Sequence, residues 1–423
     1  MYKKTILNNG LRVIIAPMEG TKTATVLVMV GTGSKYEDKK ISGISHFLEH
    51  LFFKGTEKRP TTLAISEDLE KIGAEYNAFT GKEYTGFYAK AAAFHLDKAM
   101  DVISDILLRA IFLKEEMERE KGVILEEIKM IKDDPPRYVS DLFEVLLYGD
   151  TPAGRDIAGT PESVSGINRE QIIEYFQNQY VAKNITIVVA GAVEGEEALR
   201  KVENYFNKFD GRSSKVKEQT KEFQKNPEIL IYPKKTEQTH ISLGARGYAL
   251  GHPDHYALRL LAAILGGGMS SRLWTSVRER QGLAYYVFSS AESYTDSGYF
   301  TTQAGIDAKN LEKVIEIILG EYKKIAEQGT SGDELQKVKD YIKGRMIMNL
   351  ESSSSMASFF ADQEILEGKI LTPEEKMAKI DEVTIKDIQK VAADIFKNNK
   401  LNLALIGPFK EKDKKSLEKI FKL

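Results

Sequence analysis

The stretch HFLEH, His46 to His50, has a partner in HYALR, His255 to Arg259, 209 residues further on, and the relation between the two decides the fold. Other identities fall at the same spacing without a gap. Leu51 meets Leu260, Glu70 meets Glu279, Gly73 meets Gly282, and Tyr76, Phe79 and Glu83 meet Tyr285, Phe288 and Glu292. A period this long marks a duplicated domain rather than a short stacked repeat. Strand signals recur in step with it. LRVIIAP, TATVLVMV and NITIVVAGAV in the first half, and EILIYP, THISLGA and LNLALIG in the second, are β-branched or apolar runs, several bounded by Gly or Pro. Strands and helices mix without strict alternation, which predicts an α+β fold: two homologous domains, each a mixed β-sheet with helices on one face. The polar, lysine-rich stretch from Asn207 to Glu228 has the composition of a linker, so the expected domains are 1–210 and 225–423.

Bulk properties narrow the function. A chain of 423 residues exceeds one core. The formal charge of −2 offers no basic face for nucleic acid. With no cysteine, any metal must be held by His, Asp, Glu or water. The N-terminal MYKKTILNNGLRVIIAP lacks the apolar core of a signal peptide, and no run of about 18 apolar residues occurs. The expectation is a cytoplasmic protein that neither spans a membrane nor binds nucleic acid.

HFLEH is the first candidate site. At about 100° per residue, His50 lies about 40° and Glu49 about 300° from His46 around a helix. Ile44, Phe47, Leu48 and Leu51 take the other side, where they can be buried. Imidazoles at i and i+4 can converge on one divalent ion, and Glu49 would stand beside it, able to take a proton from a bound water. The alternative is a polar face that happens to contain two histidines. The second half keeps His255 but has Leu258 and Arg259 in place of the glutamate and second histidine, so it repeats the fold without the constellation.

A third ligand is expected from EEMEREKGVILEEIKMIKDD. Its apolar stripe is Met117, Ile124, Ile128 and Ile131. Glu120 and Glu127 fall on the shoulder of that stripe, whereas Glu126 lies about 100° away from Glu127, facing water. Carboxylates at a buried edge are costly unless a cation meets them. Glu127 is therefore the ligand candidate and Glu120 a support for a histidine or for that ligand. The plainer reading pairs both with surface Lys or Arg.

Taken together, GISHFLEHLFFKGT, NAFTGKEYT, REKGVILEEI and RERQGLAYYV resemble motifs of the M16 (pitrilysin-type) zinc metallopeptidases, in order and across both halves. The resemblance implies one Zn2+ per chain on His46, His50 and Glu127, the last of these 77 residues beyond His50. It implies Glu49 as general base on a zinc-bound water. It makes Asn77, Ala78, Phe79 and Thr80 the edge strand on which a peptide is laid, and it makes Arg278 and Tyr285 substrate contacts from the second domain. It further implies a clamshell of two domains around a closed chamber and, for a chain of this length, a homodimer. The function so implied is zinc-dependent endoproteolysis of short or unfolded polypeptides. The alternatives are a non-catalytic peptide-binding subunit or scaffold on the same fold, and a hydrolase of small molecules. For Arg278 alone the plainer reading is an exposed charge balanced by Glu279, and for Tyr285 a core residue.

Overall fold

The computed structural model describes residues 2–423. The first half runs β1 (Lys3–Ile6), β2 (Arg12–Pro17), β3 (Thr23–Val30), α1 (Ile44–Phe52), α2 (Thr62–Glu70), β4 (Glu75–Thr80) and β5 (Thr85–Ala92). It continues with α3 (Leu96–Arg109), α4 (Lys114–Lys132), α5 (Pro135–Tyr148), α6 (Pro161–Gly166), α7 (Arg169–Gln179), β6 (Ile185–Gly191) and α8 (Gly195–Phe206). The second half follows nearly the same plan: β7 (Glu228–Pro233), β8 (Thr239–Arg246), α9 (His255–Gly266), a π-helical segment Trp274–Glu279, β9 (Ala284–Ser293) and β10 (Gly298–Ile306). Then come α10 (Leu311–Gln328), α11 (Gly332–Asn349), α12 (Ser353–Leu366), α13 (Pro373–Glu382), α14 (Ile385–Ile395), β11 (Leu401–Gly407) and α15 (Lys414–Ile420).

The first sheet has the order β1-β2-β6-β3-β5-β4 and the second β7-β11-β8-β10-β9. Without β1 the two orders are the same, strand for strand. Each sheet is mixed: β2 runs parallel to β6 and β7 parallel to β11, and the remaining pairs are antiparallel. The spacing of 209 residues superposes α1 on α9 and β4 on β9, so the duplication read from the sequence is a duplication of structure.

Side chains alternate across a strand, and here both sets are buried. On β3, Val26, Val28 and Val30 join the core beneath α1, α3 and α8, while Leu27 and Met29 point the other way and are equally buried. A run such as TATVLVMV, apolar at almost every position, is the signature of a strand covered on both faces. The main helical layer occupies one face, as expected, and the opposite face carries one further helix. In the first sheet that helix is α12, whose Ala357, Phe360 and Ala361 pack on Ile14, Leu27, Met29 and Val188. Ser353 at its start hydrogen-bonds Thr25 at 2.8 Å, and buried Glu364 near its end pairs with Lys4 at 2.7 Å. In the second sheet the helix is α5. Val139, Phe143 and Leu147 meet Ala404 and Ile406, and Tyr299 donates to the Glu144 carboxylate at 3.1 Å.

Two compact units result, and each draws on both halves of the sequence. Unit 1 comprises the chain through Lys129, then Arg155–Glu218 and Ile347–Ile370. Unit 2 comprises Met130–Gly154, Gln219–Met346 and Leu371–Leu423. Boundaries of 1–210 and 225–423 therefore miss a reciprocal exchange of one helix. The segment between α8 and β7 has neither helix nor strand, but it is tied down: Lys217 pairs with Glu83 at 3.3 Å in unit 1, and Thr220 bonds Asp296 in unit 2.

Residues 1–218 expressed alone keep α5 but lose α12, which leaves Leu27, Met29 and Val188 bare. A large apolar face without its cover destabilises a domain by several kcal/mol on the scale of buried-area transfer, about 25 cal/mol per Å2. The fragment is expected to bind a hydrophobic dye and to melt without a cooperative transition, and co-expression with residues 219–423 should abolish the dye binding and restore a cooperative melt. A cooperative melt of the fragment alone would contradict the exchange.

Candidate metal centre and active site

α1 carries the candidate site, and its first turn is fastened from outside. Gly43 caps it at φ +94°, where a Cβ would stand 2.6 Å from the Ala158 carbonyl oxygen, so only glycine fits. The amides of Gly43 and Ser45 donate to the buried carboxylate of Glu37 at 2.7 and 2.8 Å. Burial pushes Glu37 up to about 7 even though these hydrogen bonds favour its anion. The Ser45 hydroxyl bonds the Tyr175 hydroxyl at 2.7 Å, and Thr32 bonds the same phenol at 2.8 Å. Ile44, Phe47, Leu48 and Leu51 are buried, which turns His46, Glu49 and His50 toward α4 and β4.

The two histidines and Glu127 converge. The Nε2 atoms of His46 and His50 are 3.3 Å apart, and Glu127 Oε2 lies 3.5 Å from the first and 3.7 Å from the second. Tetrahedral zinc with bonds of about 2.0–2.2 Å sets its ligand atoms about 3.3–3.6 Å apart. The three separations fall in or beside that range, and the donor set of two imidazoles and a carboxylate suits zinc. Three lone-pair donors facing one point repel one another unless a cation or a proton lies among them. Among the described residues this is the one group of three or more His, Asp or Glu placed to hold a metal.

The helical phase separates Glu127 from its neighbour. Glu126 is 74% exposed and pairs with Lys129 at 2.8 Å, one turn along the surface of α4. Glu120, on the same face as Glu127, accepts from His50 Nδ1 at 3.1 Å and from Lys54 Nζ at 2.8 Å. Burial pushes the Glu120 carboxyl up, but His50 and Lys54 outweigh it and hold the group below its ordinary value. A hydrogen bond from Nδ1 fixes the His50 tautomer with its Nε2 lone pair toward the cluster. Lys54 went unnoticed in the sequence, although it stands four residues after His50.

Glu49 is not part of the cluster. Its carboxylate accepts a short hydrogen bond from the Thr80 hydroxyl at the end of β4. Burial raises its pKa, opposed by Thr80 and His50 and assisted by Glu127. β4 is an edge strand: it pairs with β5 on one side, and among the described residues no strand lies on the other. Asn77 is exposed, Ala78 is buried in the core, and Phe79 and Thr80 are half-buried.

Arg278 and Tyr285 lie in unit 2. Arg278 occupies the last turn of the π-helical segment, Gly282 turns the chain at φ +61°, and Tyr285 is the second residue of β9. Tyr285 is 65% exposed, so it is not a core residue, and it lines an open cavity of about 490 Å3 with Pro135, His240 and Tyr286. Glu279 does not balance Arg278; the guanidinium lies over the Trp274 ring, 4.1 Å from its centroid. His255, the counterpart of His46, is half-buried and shares a hydrogen bond with Ser293 at 3.2 Å, and desolvation lowers it to about 4.

Residues 12–161 match the family Insulinase (Peptidase family M16), and residues 166–342 match the Peptidase M16 inactive domain. An uncharacterised zinc protease of Bacillus subtilis is 36% identical over 408 residues, spanning 96% of this chain and 98% of its own. One of Mycobacterium leprae is 34% identical, spanning 97% and 92%. The crystal structure of a protease from Helicobacter pylori superposes with a TM-score of 0.90 at 25% identity, covering 96% of this chain and 99% of that one. The chain belongs to peptidase family M16, and the relatives it resembles along nearly its whole length are named as zinc proteases.

Glu127→Gln is expected to lose bound zinc, whereas Glu126→Gln keeps it. Glu120→Gln should weaken affinity by about 10–100-fold, because it loosens a ligand rather than removing one. Metal analysis after dialysis against a competing chelator measures all three, and zinc loss confined to the Glu126 variant would reverse the assignment.

Proposed function

We propose that the protein is a zinc-dependent endopeptidase that hydrolyses short or unfolded polypeptides. The observation that carries this reading is the approach of His46, His50 and Glu127 to one point, with Glu49 beside it and held by Thr80 instead of joining the cluster. When bound, zinc supplies a Lewis acid and lowers the pKa of water. The rest falls to side chains and backbone. An extended peptide adds to the free edge of β4 through main-chain hydrogen bonds, which are indifferent to side-chain identity and suit many substrates. Glu49 takes the proton of the attacking water and returns it to the leaving amine. The guanidinium of Arg278 holds peptide carbonyls, and the phenol of Tyr285 donates to the oxygen on which negative charge develops. Those last two roles are carried over from the M16 resemblance.

One zinc per chain accords with the single cluster among the described residues. No helix among them is long and apolar enough to cross a membrane. The homodimer and the cytoplasmic location rest on the resemblance and on composition. Of the two matched domains, the one named inactive covers residues 166–342, and the cluster lies before it among residues of unit 1, so catalysis is assigned to unit 1. A binding-only subunit would leave Glu49 half-buried and oriented by Thr80 without a task.

Glu49→Gln should keep zinc and fold while losing 10²–10⁴ in turnover, the usual contribution of a general base. The assay is cleavage of a quenched peptide by the purified chain, with zinc measured in parallel. More than about a tenth of wild-type turnover would remove Glu49 from the role, and no cleavage by zinc-loaded wild type would favour the binding subunit.

Tyr285→Phe removes one oxyanion donor and is expected to cost roughly 10²–10³ in turnover at unchanged zinc content. Near-normal turnover would confine the chemistry to unit 1.

A further inference from the structure

The position of Arg278 is governed by an aromatic ring. Its guanidinium carbon lies 4.1 Å from the centroid of Trp274, and among the described residues no carboxylate pairs with it. Trp274 is the only tryptophan of the chain. The segment that carries both is wound as a π-helix, a form that concentrates at functional sites. The amide of Arg280 reaches back to Thr275 at 3.0 Å and that of Leu283 to Val277 at 3.0 Å. Leu273 and Val277 pin the inner side of the segment in the core, fully buried. Arg272 at its entry is clamped by Glu334 at 2.6 Å and by the Gly329 carbonyl at 3.1 Å. The backbone under Trp274 and Arg278 is therefore fixed from below, while Arg278 itself is exposed and Trp274 half-buried.

A carboxylate and an aromatic ring restrain an arginine differently. A carboxylate neutralises the charge and occupies two or more N–H donors in a bidentate pair. A ring face holds the cation through its quadrupole and leaves the N–H groups, which point outward in the plane, uncommitted. For a residue required to grip peptide carbonyls, only the second restraint keeps it competent.

We infer that Trp274 is a positioning residue: it stacks Arg278 in place, charged and with its donors free, so that the guanidinium is preorganised for the carbonyls of the substrate. This rests on the proposed role of Arg278 in peptide hydrolysis and adds to it the group that holds the residue ready.

The test is a double-mutant cycle on kcat and KM in the zinc-loaded chain, with one cleaved peptide that contains no tryptophan. Trp274→Leu is expected to lower kcat/KM roughly tenfold, mostly in kcat, the scale of a partly desolvated cation–π contact. Trp274→Phe, which keeps a ring face, should stay within about threefold of wild type. In the Arg278→Ala background, Trp274→Leu should change nothing further, because the group it positions is gone. A second readout needs no substitution of Trp274. In the cleavage-dead Glu49→Gln chain, adding the unlabelled peptide should shift the emission of this single tryptophan, and Arg278→Ala should abolish the shift. If Arg278→Ala is costly but Trp274→Leu is silent, or their costs multiply independently, the positioning role is overturned and the proposed chemistry stands. If Arg278→Ala is itself silent in turnover, both fall. If Trp274→Leu fails to fold, the emission experiment decides, and a shift that survives Arg278→Ala contradicts the inference.

Discussion

The site depends on how the short helix α1 is held at its two ends. A nine-residue helix is too short to be stable by itself, so its environment must set its direction. At the first turn the Glu37 carboxylate takes the Gly43 and Ser45 amides, which would otherwise be buried without partners. Just beyond the last turn, Lys54 reaches one oxygen of Glu120 while His50 Nδ1 reaches the other. Between these two anchors the histidines have little freedom to turn away from Glu127. The convergence of these three side chains is therefore imposed by the surrounding fold, which presents them together to a cation.

The duplicated halves share their frame and differ in the chemistry placed on it. Both sheets have the same strand order, and each is completed on its far face by a helix from the other half of the sequence. His255 remains where His46 stands in the first copy. It is half-buried and bonded to Ser293, and Arg259 replaces the second histidine. The packing frame is common to both copies, whereas the pairing of two histidines with a glutamate on this helix is confined to the first.

The fold class, the repeat and the meeting of His46, His50 and Glu127 were legible in the sequence, the first two from strand signals and the 209-residue spacing, the third from helical phase. His46, Glu49 and His50 share one helical turn. Glu127 could be told from Glu126 by helical phase alone, and the structure places Glu126 in solvent and Glu127 at the histidines. The exchange of α5 and α12 was not legible, since an amphipathic pattern states that a face is buried but not against which sheet. The signal that could have warned of it was the absence of alternation in VLVMV and ITIVV, which are covered on both sides. The bond from Thr80 to Glu49, the Glu37 anchor and the Lys54 pair join residues distant in sequence or placed by a turn, and no spacing rule reaches them. The plainer alternative for Arg278, charge balance by Glu279, gives way to stacking on Trp274 four residues earlier.

X-ray absorption at the zinc edge, on the purified chain loaded with one equivalent of zinc, tests the central claim most directly, because it reports which atoms hold the metal without depending on activity. The account predicts one tightly bound zinc with two imidazoles and oxygen ligands at about 2.0–2.2 Å. A spectrum showing no imidazole or only one, or a chain that takes up no zinc, would contradict it.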